Sequence, residues 1–206
     1  AAYLIPIAFY KSLDHLLTKG IRTQNQNSQA FASLSVRPVE HLHLYGSFFL
    51  DEVKFARFKP SNPENNPISY LVGFNWSGWP IRGLSLKGEF MRSYIACYTH
   101  SIEALEWTSN SYNMGHYMGD NAQSIYAELA YRPIRGMLLK LSYTNDTKYN
   151  SYAYLRDNIS ETIAQKPFDH AVFRNDVLRL DGIYEVHPNM YLTLALEYNN
   201  ARAFDN

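Results

Sequence analysis

The chain has 206 residues, enough for one domain, and its 19 basic and 19 acidic residues cancel, so the sequence offers no electrostatic reason to bind nucleic acid or an acidic membrane surface. No apolar run approaches the roughly 20 residues of a membrane-crossing helix. The single cysteine, Cys97, has no partner for an internal disulfide and no second thiolate for a structural zinc, and reads as a plain unpaired thiol.

Low mean hydropathy, −0.33, leaves one membrane class open. Strands that cross a bilayer are about ten residues long and alternate between apolar and polar, so the average stays low. The 17 Tyr and 11 Phe residues suit both strands and membrane interfaces.

In chain order, Tyr3 to Tyr10 alternates Tyr3, Ile5, Ile7 and Phe9 with other residues, and Pro6 marks it as an edge or irregular strand. Lys11 to Asn27 has loop composition and contains Asp14 and His15. Gln29 to Val36 is a predicted strand with Ala30, Ala32, Leu34 and Val36 on one face. After a turn at Arg37-Pro38-Val39-Glu40, His41 to Glu52 sets Leu42, Leu44, Phe48 and Leu50 against His41, His43, Tyr45, Ser47 and Asp51. A Pro- and Asn-rich loop leads to the next hairpin, Tyr70 to Ser77 and Leu84 to Phe90, turned by Gly78 to Gly83. A longer loop runs from Tyr98 to Gln123.

Ser124 to Thr144 is the clearest hairpin. Ile125, Ala127, Leu129 and Tyr131 share a face with Met137, Leu139, Leu141 and Tyr143, while Glu128 and Lys140 lie on the other. Arg132-Pro133-Ile134-Arg135-Gly136 is the turn. Asn145 to Asp176 reads as another polar connection. The last hairpin sets Leu178, Leu180, Tyr184 and Val186 against Met190, Leu192, Leu194, Leu196 and Tyr198 around His187-Pro188-Asn189.

Short turns thus recur near Pro38, Pro80, Pro133 and Pro188, each followed by a long polar loop. Short turns at one end and long loops at the other are the layout of an outer-membrane barrel. The second face carries Asp51, Lys87, Glu89, Glu128, Lys140, Arg179, Asp181, Glu185 and Glu197, groups that a wet lumen tolerates and a dry core does not. The expected fold is all-β: an antiparallel, up-and-down transmembrane β-barrel, of which residues 1–206 supply about nine strands of one larger domain. A soluble sheet with those charges facing solvent is the other reading. The chain opens on Ala1 with neither initiator Met nor signal peptide, so an N-terminal part is expected to be missing.

Chemistry-bearing groups are sparse. His41 and His43 share a strand face but make only two ligands, so no metal is expected. Ser101 beside His100 lacks a third partner, and neither a G-x-S-x-G motif nor a paired-carboxylate motif is present, so no catalysis is expected. The loop holding Tyr98, His100, His116, Tyr117, Asp120 and Asn121 has the aromatic and polar groups that stack on and hydrogen-bond to a sugar, and equally the Gly and Asp of a loop that shapes its own turns.

Four stretches carry a family resemblance: Phe9-Tyr-Lys-Ser-Leu-Asp-His15, Leu42-His-Leu-Tyr-Gly-Ser-Phe-Phe-Leu-Asp-Glu52, Met114-Gly-His-Tyr-Met-Gly-Asp-Asn-Ala122 and Ala127-Glu-Leu-Ala-Tyr-Arg-Pro-Ile-Arg-Gly136. In this order they resemble the Wzi-type capsule-assembly family of outer-membrane β-barrels, in its C-terminal portion. The resemblance implies a monomer in the outer membrane of a Gram-negative bacterium. It would be surrounded by lipid, use no cofactor and hold capsular polysaccharide at the cell surface without catalysis. It adds Asp14, His15, Asp51 and Glu52 to the candidate glycan-binding residues. A channel for sugars or small solutes and a membrane-embedded hydrolase are the alternatives.

Overall fold

The computed structural model describes residues 29–51, 54–150 and 152–204. The expected strand Tyr3 to Tyr10, the loop after it, and the candidates Asp14, His15 and Glu52 lie outside these residues. Eight strands make one sheet: β1 Gln29–Val39, β2 Leu42–Asp51, β3 Ile68–Ser77, β4 Leu84–Ser93, β7 Ala122–Tyr131, β8 Met137–Tyr149, β9 Ala171–His187 and β10 Met190–Ala203. The sheet order is β1-β2-β3-β4-β7-β8-β9-β10 with every pairing antiparallel, an up-and-down meander. Two short strands, β5 Thr108–Ser109 and β6 Tyr112–Asn113, form a separate ribbon inside the β4–β7 connection. The chain is all-β, as expected. Among the described residues the sheet is open, β1 and β10 each presenting an unpaired edge, and no helix is long and apolar enough to cross a membrane.

Turn chemistry sorts the connections. The β1–β2 and β9–β10 turns each place one residue in the left-handed region, His41 at φ 71° and Asn189 at φ 66°. The β3–β4 and β7–β8 turns use Gly83 at φ 81° and Gly136 at φ 78°, a conformation that glycine adopts without a Cβ penalty. In an up-and-down meander these four tight turns share one end of the sheet, and the long β2–β3, β4–β7 and β8–β9 connections share the other.

The more exposed face of the sheet is the apolar one. Leu42, Trp76, Leu86, Leu129, Leu141, Leu180 and Leu196 sit side by side in register across seven strands. Of these, Leu86, Leu129, Leu141, Leu180 and Leu196 are 40–55% exposed. The opposite face carries the ion pairs and is the more sheltered one. The Asp181 side chain is 15% exposed, whereas its neighbour Leu180 is 40% exposed.

The apolar belt is also staggered. Its upper limit is Leu50 on β2, Ile68 on β3, Phe90 on β4, Ile125 on β7, Tyr143 on β8, Leu178 on β9 and Tyr198 on β10. Above those limits, on β4 and β7 to β10, the same face turns to Arg92, Gln123, Asn145, Asp176 and Asn200. From β2 to β10 the boundary slips about six residues over six strand-to-strand steps. With about 3.3 Å per residue and about 4.8 Å between strands, a level belt requires strands leaning by roughly 35°.

Candidate functional site

Two polar structures stand on the sheltered face. The lower one is a diagonal ladder of charges. Tyr45 on β2 reaches across β3 to donate to Glu89 on β4 at 2.5 Å. Gly73 makes that reach possible, because a Cβ there would lie 2.6 Å from the Tyr45 ring. Lys87 pairs with Glu89 at 3.0 Å and lies over the Tyr126 ring. Tyr126 donates to Glu128, Lys140 lies 4.0 Å from Glu128 and 3.5 Å from Asp181, and Arg179 joins Asp181 at 2.8 Å to Glu197 at 3.3 Å. Alternating signs let each partly sheltered charge meet its opposite.

The upper structure is a cap made from the three long connections. The backbone N–H of Asn65 donates to the Ile163 carbonyl at 2.7 Å, and its side-chain amide donates to Ile163 and Gln165 carbonyls at 2.9 and 3.2 Å. Ile163, on the one-turn helix Ile159–Ile163, is buried with Ile95 and Ala96 against Tyr152, Tyr154 and Ile159. Arg57 holds Glu64 at 2.8 Å, and that bond keeps the Glu64 carboxyl below the usual carboxylate range.

The β4–β7 connection folds onto the sheltered face of the sheet. The Tyr98 and Trp107 rings both pack on Phe49 of β2 with centroids 5.1 Å apart, and Gly115 lies so close to the Tyr98 ring that any Cβ would collide with it. The Tyr117 hydroxyl donates to both oxygens of Asp146 on β8 at 2.7 Å, where Ser124 also donates at 2.6 Å. Shelter of that hydroxyl and its bond to Asp146 push Tyr117 up to about 12, although its ring is exposed.

The candidate residues divide by role. Asp120 accepts from Lys148 at 2.9 Å, from the Ala96 N–H at 2.8 Å and from the Tyr152 hydroxyl. Asn121 is 0% exposed, donates to Asn150 and accepts from the Phe168 N–H at 3.2 Å, with its backbone tied to Tyr94 and Tyr149. These two hold the cap together from inside. Tyr98 is buried, and burial raises its hydroxyl pKa. The adjacent Cys97 thiol is pushed well up by burial and by the charges of Asp51 and Asp120, which leaves it unreactive. Asp51 is buried where β2 enters the cap.

His100 accepts from the Ile102 N–H at 3.0 Å and shapes a local turn. His116 stacks on Tyr117 at 4.2 Å and borders a cleft of about 310 Å³ that Phe31, Ser33, Ser47, Tyr98 and Trp107 also line. Burial pulls His116 below its ordinary range, partly offset by the charges of Asp146 and Glu89. His116 and Tyr117 are therefore the two candidates brought together at an accessible surface.

His41 and His43 take separate partners, the Ser77 carbonyl and the Ser35 hydroxyl, each at 2.7 Å. Among the described residues no three His, Cys, Asp or Glu side chains converge on a metal position.

Phe49, Trp107, Asp146 and Tyr152, which build these contacts, are not among the residues that the sequence marks as candidates. Asp146 had a readable signal, since extending the β8 alternation past Ser142 and Thr144 puts it on the polar face. No family model matches the chain, and no curated protein or solved structure matches it.

Proposed function

We propose that this chain is a segment of an outer-membrane β-barrel whose loop cap binds and retains capsular polysaccharide at the cell surface, without catalysis. One observation carries the membrane reading: the exposed apolar belt backed by an ionic wall, with a stagger that implies a lean of roughly 35°. Transmembrane barrels combine an outward apolar band about 25 Å tall, a polar interior and strands tilted about 35–45°. The belt runs from Met137 to Tyr143 on β8 and from Leu42 to Leu50 on β2, about 20–26 Å along the strand and about 16–21 Å in height at that lean. Tyr131 and Tyr184 near its lower limit, with Tyr143 and Tyr198 at its upper one, suit the two interfaces. Placed in water, this face would be one continuous sticky surface far beyond what soluble monomers expose.

In such a barrel the long connections lie outside the cell and the tight turns inside. The cap therefore faces the capsule. It offers the Tyr112 and Tyr117 rings, the His116 imidazole and the cleft beside Trp107, where sugar rings stack on aromatic faces and hydroxyls meet polar groups. The packed cap also supports retention over transport, because its loops fold onto the ionic face of the sheet, the side that would line the lumen of such a barrel.

The test is direct. Full-length protein in detergent is expected to bind native capsule, and a variant lacking residues 98–121 is expected to lose most of that binding while keeping its barrel. Equal binding by both proteins would overturn the assignment to the cap. A full-length protein that stays monomeric and folded in plain buffer would overturn the membrane reading itself. Steady conductance of small sugars through planar bilayers would favour the channel alternative.

A further inference from the structure

The ionic wall stops below the cap on β1 to β4. Ser35, Tyr45, Gly73 and Glu89 form its last row there. The next row up on the same face is Ser33, Ser47, Leu71 and Met91, and the one above it is Phe31, Phe49, Ser69 and Ser93. Two whole rows therefore carry no charge, with Asp51 buried above them. The β4–β7 connection roofs this neutral patch with Tyr98, Trp107, Met114 and His116, and the space left between is the cleft of about 310 Å³.

Among the described residues no Asp, Glu, Lys or Arg lines the cleft. The charges that reach His116 at its rim are those of Asp146 and Glu89, both acids. Lys87 is committed to Glu89 and Lys148 to Asp120, and Arg37 lies at the turn end of β1, beyond Ser35. A carboxylate or phosphate seated here would give up water, meet no cation and face two acids. An acyl chain fits no better, because the Ser33 and Ser47 hydroxyls would lose water and gain no partner. The lining suits a small neutral molecule with hydroxyls for the serines and an apolar face for Phe31, Trp107 and Met91. A volume of about 310 Å³ is at the small end of ligand sites, room for one sugar residue.

We propose that this cleft is a subsite for one uncharged sugar residue that carries a methyl group, as 6-deoxy and N-acetyl sugars do, and that it excludes acidic sugars. The proposal rests on the glycan-binding reading and narrows it. Phe31 is exposed on the floor with its ring 6.4 Å from that of Trp107, and the two offer apolar faces to a sugar ring. Leu71, Met91 and Met114 give the methyl group an apolar, adaptable seat. The Ser33 and Ser47 hydroxyls, directly across from each other, meet the ring hydroxyls. His116, pulled below its ordinary range by burial, stays uncharged at neutral pH and adds no attraction for an acid.

Full-length protein in lipid nanodiscs is offered the methyl glycosides of N-acetylglucosamine, rhamnose, glucose and glucuronic acid, and saturation transfer is read by NMR. Transfer is expected to be strongest to the N-acetyl and C6 methyl groups, weaker to glucose and absent for the glucuronide. Phe31→Ala, at an exposed side chain, should weaken binding of the first two about fivefold with heat-modifiable gel mobility unchanged. Ser33→Lys supplies the missing cation and should admit the glucuronide. Transfer to the glucuronide in the unaltered protein equal to that of the others overturns the proposal, as does silence from all four probes. Binding indifferent to Phe31→Ala, or a glucuronide still refused by Ser33→Lys, overturns it too. The glycan-binding reading is judged separately. If capsule binding survives deletion of residues 98–121, the assignment to the cap falls. If that deletion abolishes it while Phe31→Ala keeps it in full, only the subsite falls.

Discussion

Replacing Leu141 separates a face that meets lipid from one that meets water. Leu141 lies mid-belt on β8, between Leu129 and Leu180, with 43% of its surface left uncovered by the sheet. If hydrocarbon covers that remainder, Leu141→Ala loses the corresponding share of a full leucine burial of about 2 kcal/mol, or about 1 kcal/mol. Leu141→Arg places a charge near the midplane and should cost about 2–4 kcal/mol. Thr193→Arg puts the same side chain on the ionic face of β10 and should stay within about 0.5 kcal/mol of the parent. Urea titrations of full-length protein refolded into short-chain phosphatidylcholine vesicles, read by heat-modifiable gel mobility, give all three values. In water an exposed leucine exchanged for Ala or Arg costs almost nothing. Values within about 0.5 kcal/mol for both Leu141 variants would therefore refute the reasoning.

Asn121→Ala removes an amide buried between the β4–β7 and β8–β9 connections and should cost about 1–3 kcal/mol locally. Hydrogen exchange should rise across the cap while strand protection stays unchanged. Tyr117→Phe deletes the bond to Asp146 and should loosen the β4–β7 connection by about 1 kcal/mol, seen as faster proteolysis there. Gly115→Ala forces the Tyr98 ring off Phe49 and should shift Trp107 fluorescence and weaken capsule binding. Acidification should loosen the same connection. The unfolded chain takes up a proton at His116 from near 6.5 downward, whereas the folded chain resists until lower pH, so stability falls as pH drops through that window. His116→Gln should remove that dependence.

Strand faces were legible in the sequence because alternation is local. Leu139, Leu141 and Tyr143 against Lys140, Ser142 and Thr144 announces its own geometry without any knowledge of neighbours. Strand ends were not legible. β8 continues to Tyr149 and β9 begins at Ala171, in stretches with the composition of loops. Above the belt both faces are polar, at Asn145, Asp146 and Asp176 for instance, so the alternation vanishes while backbone pairing goes on. The loop candidates illustrate the other limit. Asp120 and Asn121 look like ligand-binding groups in one dimension, and their partners Ala96, Lys148, Tyr152 and Phe168 lie 24 to 47 residues away. Phe49 was hidden beside Phe48, because one aromatic pair straddles both faces of β2.

The Asn65 to Ile163 bonds join segments 98 residues apart. Such a contact carries a heavy chain-closure cost until the strands between them have zipped, and only then does it form at little expense. By that reasoning the cap is expected to form after the strands it joins. An antibody that recognises the finished cap would then report in one step that every ribbon from β2 to β9 has found its place.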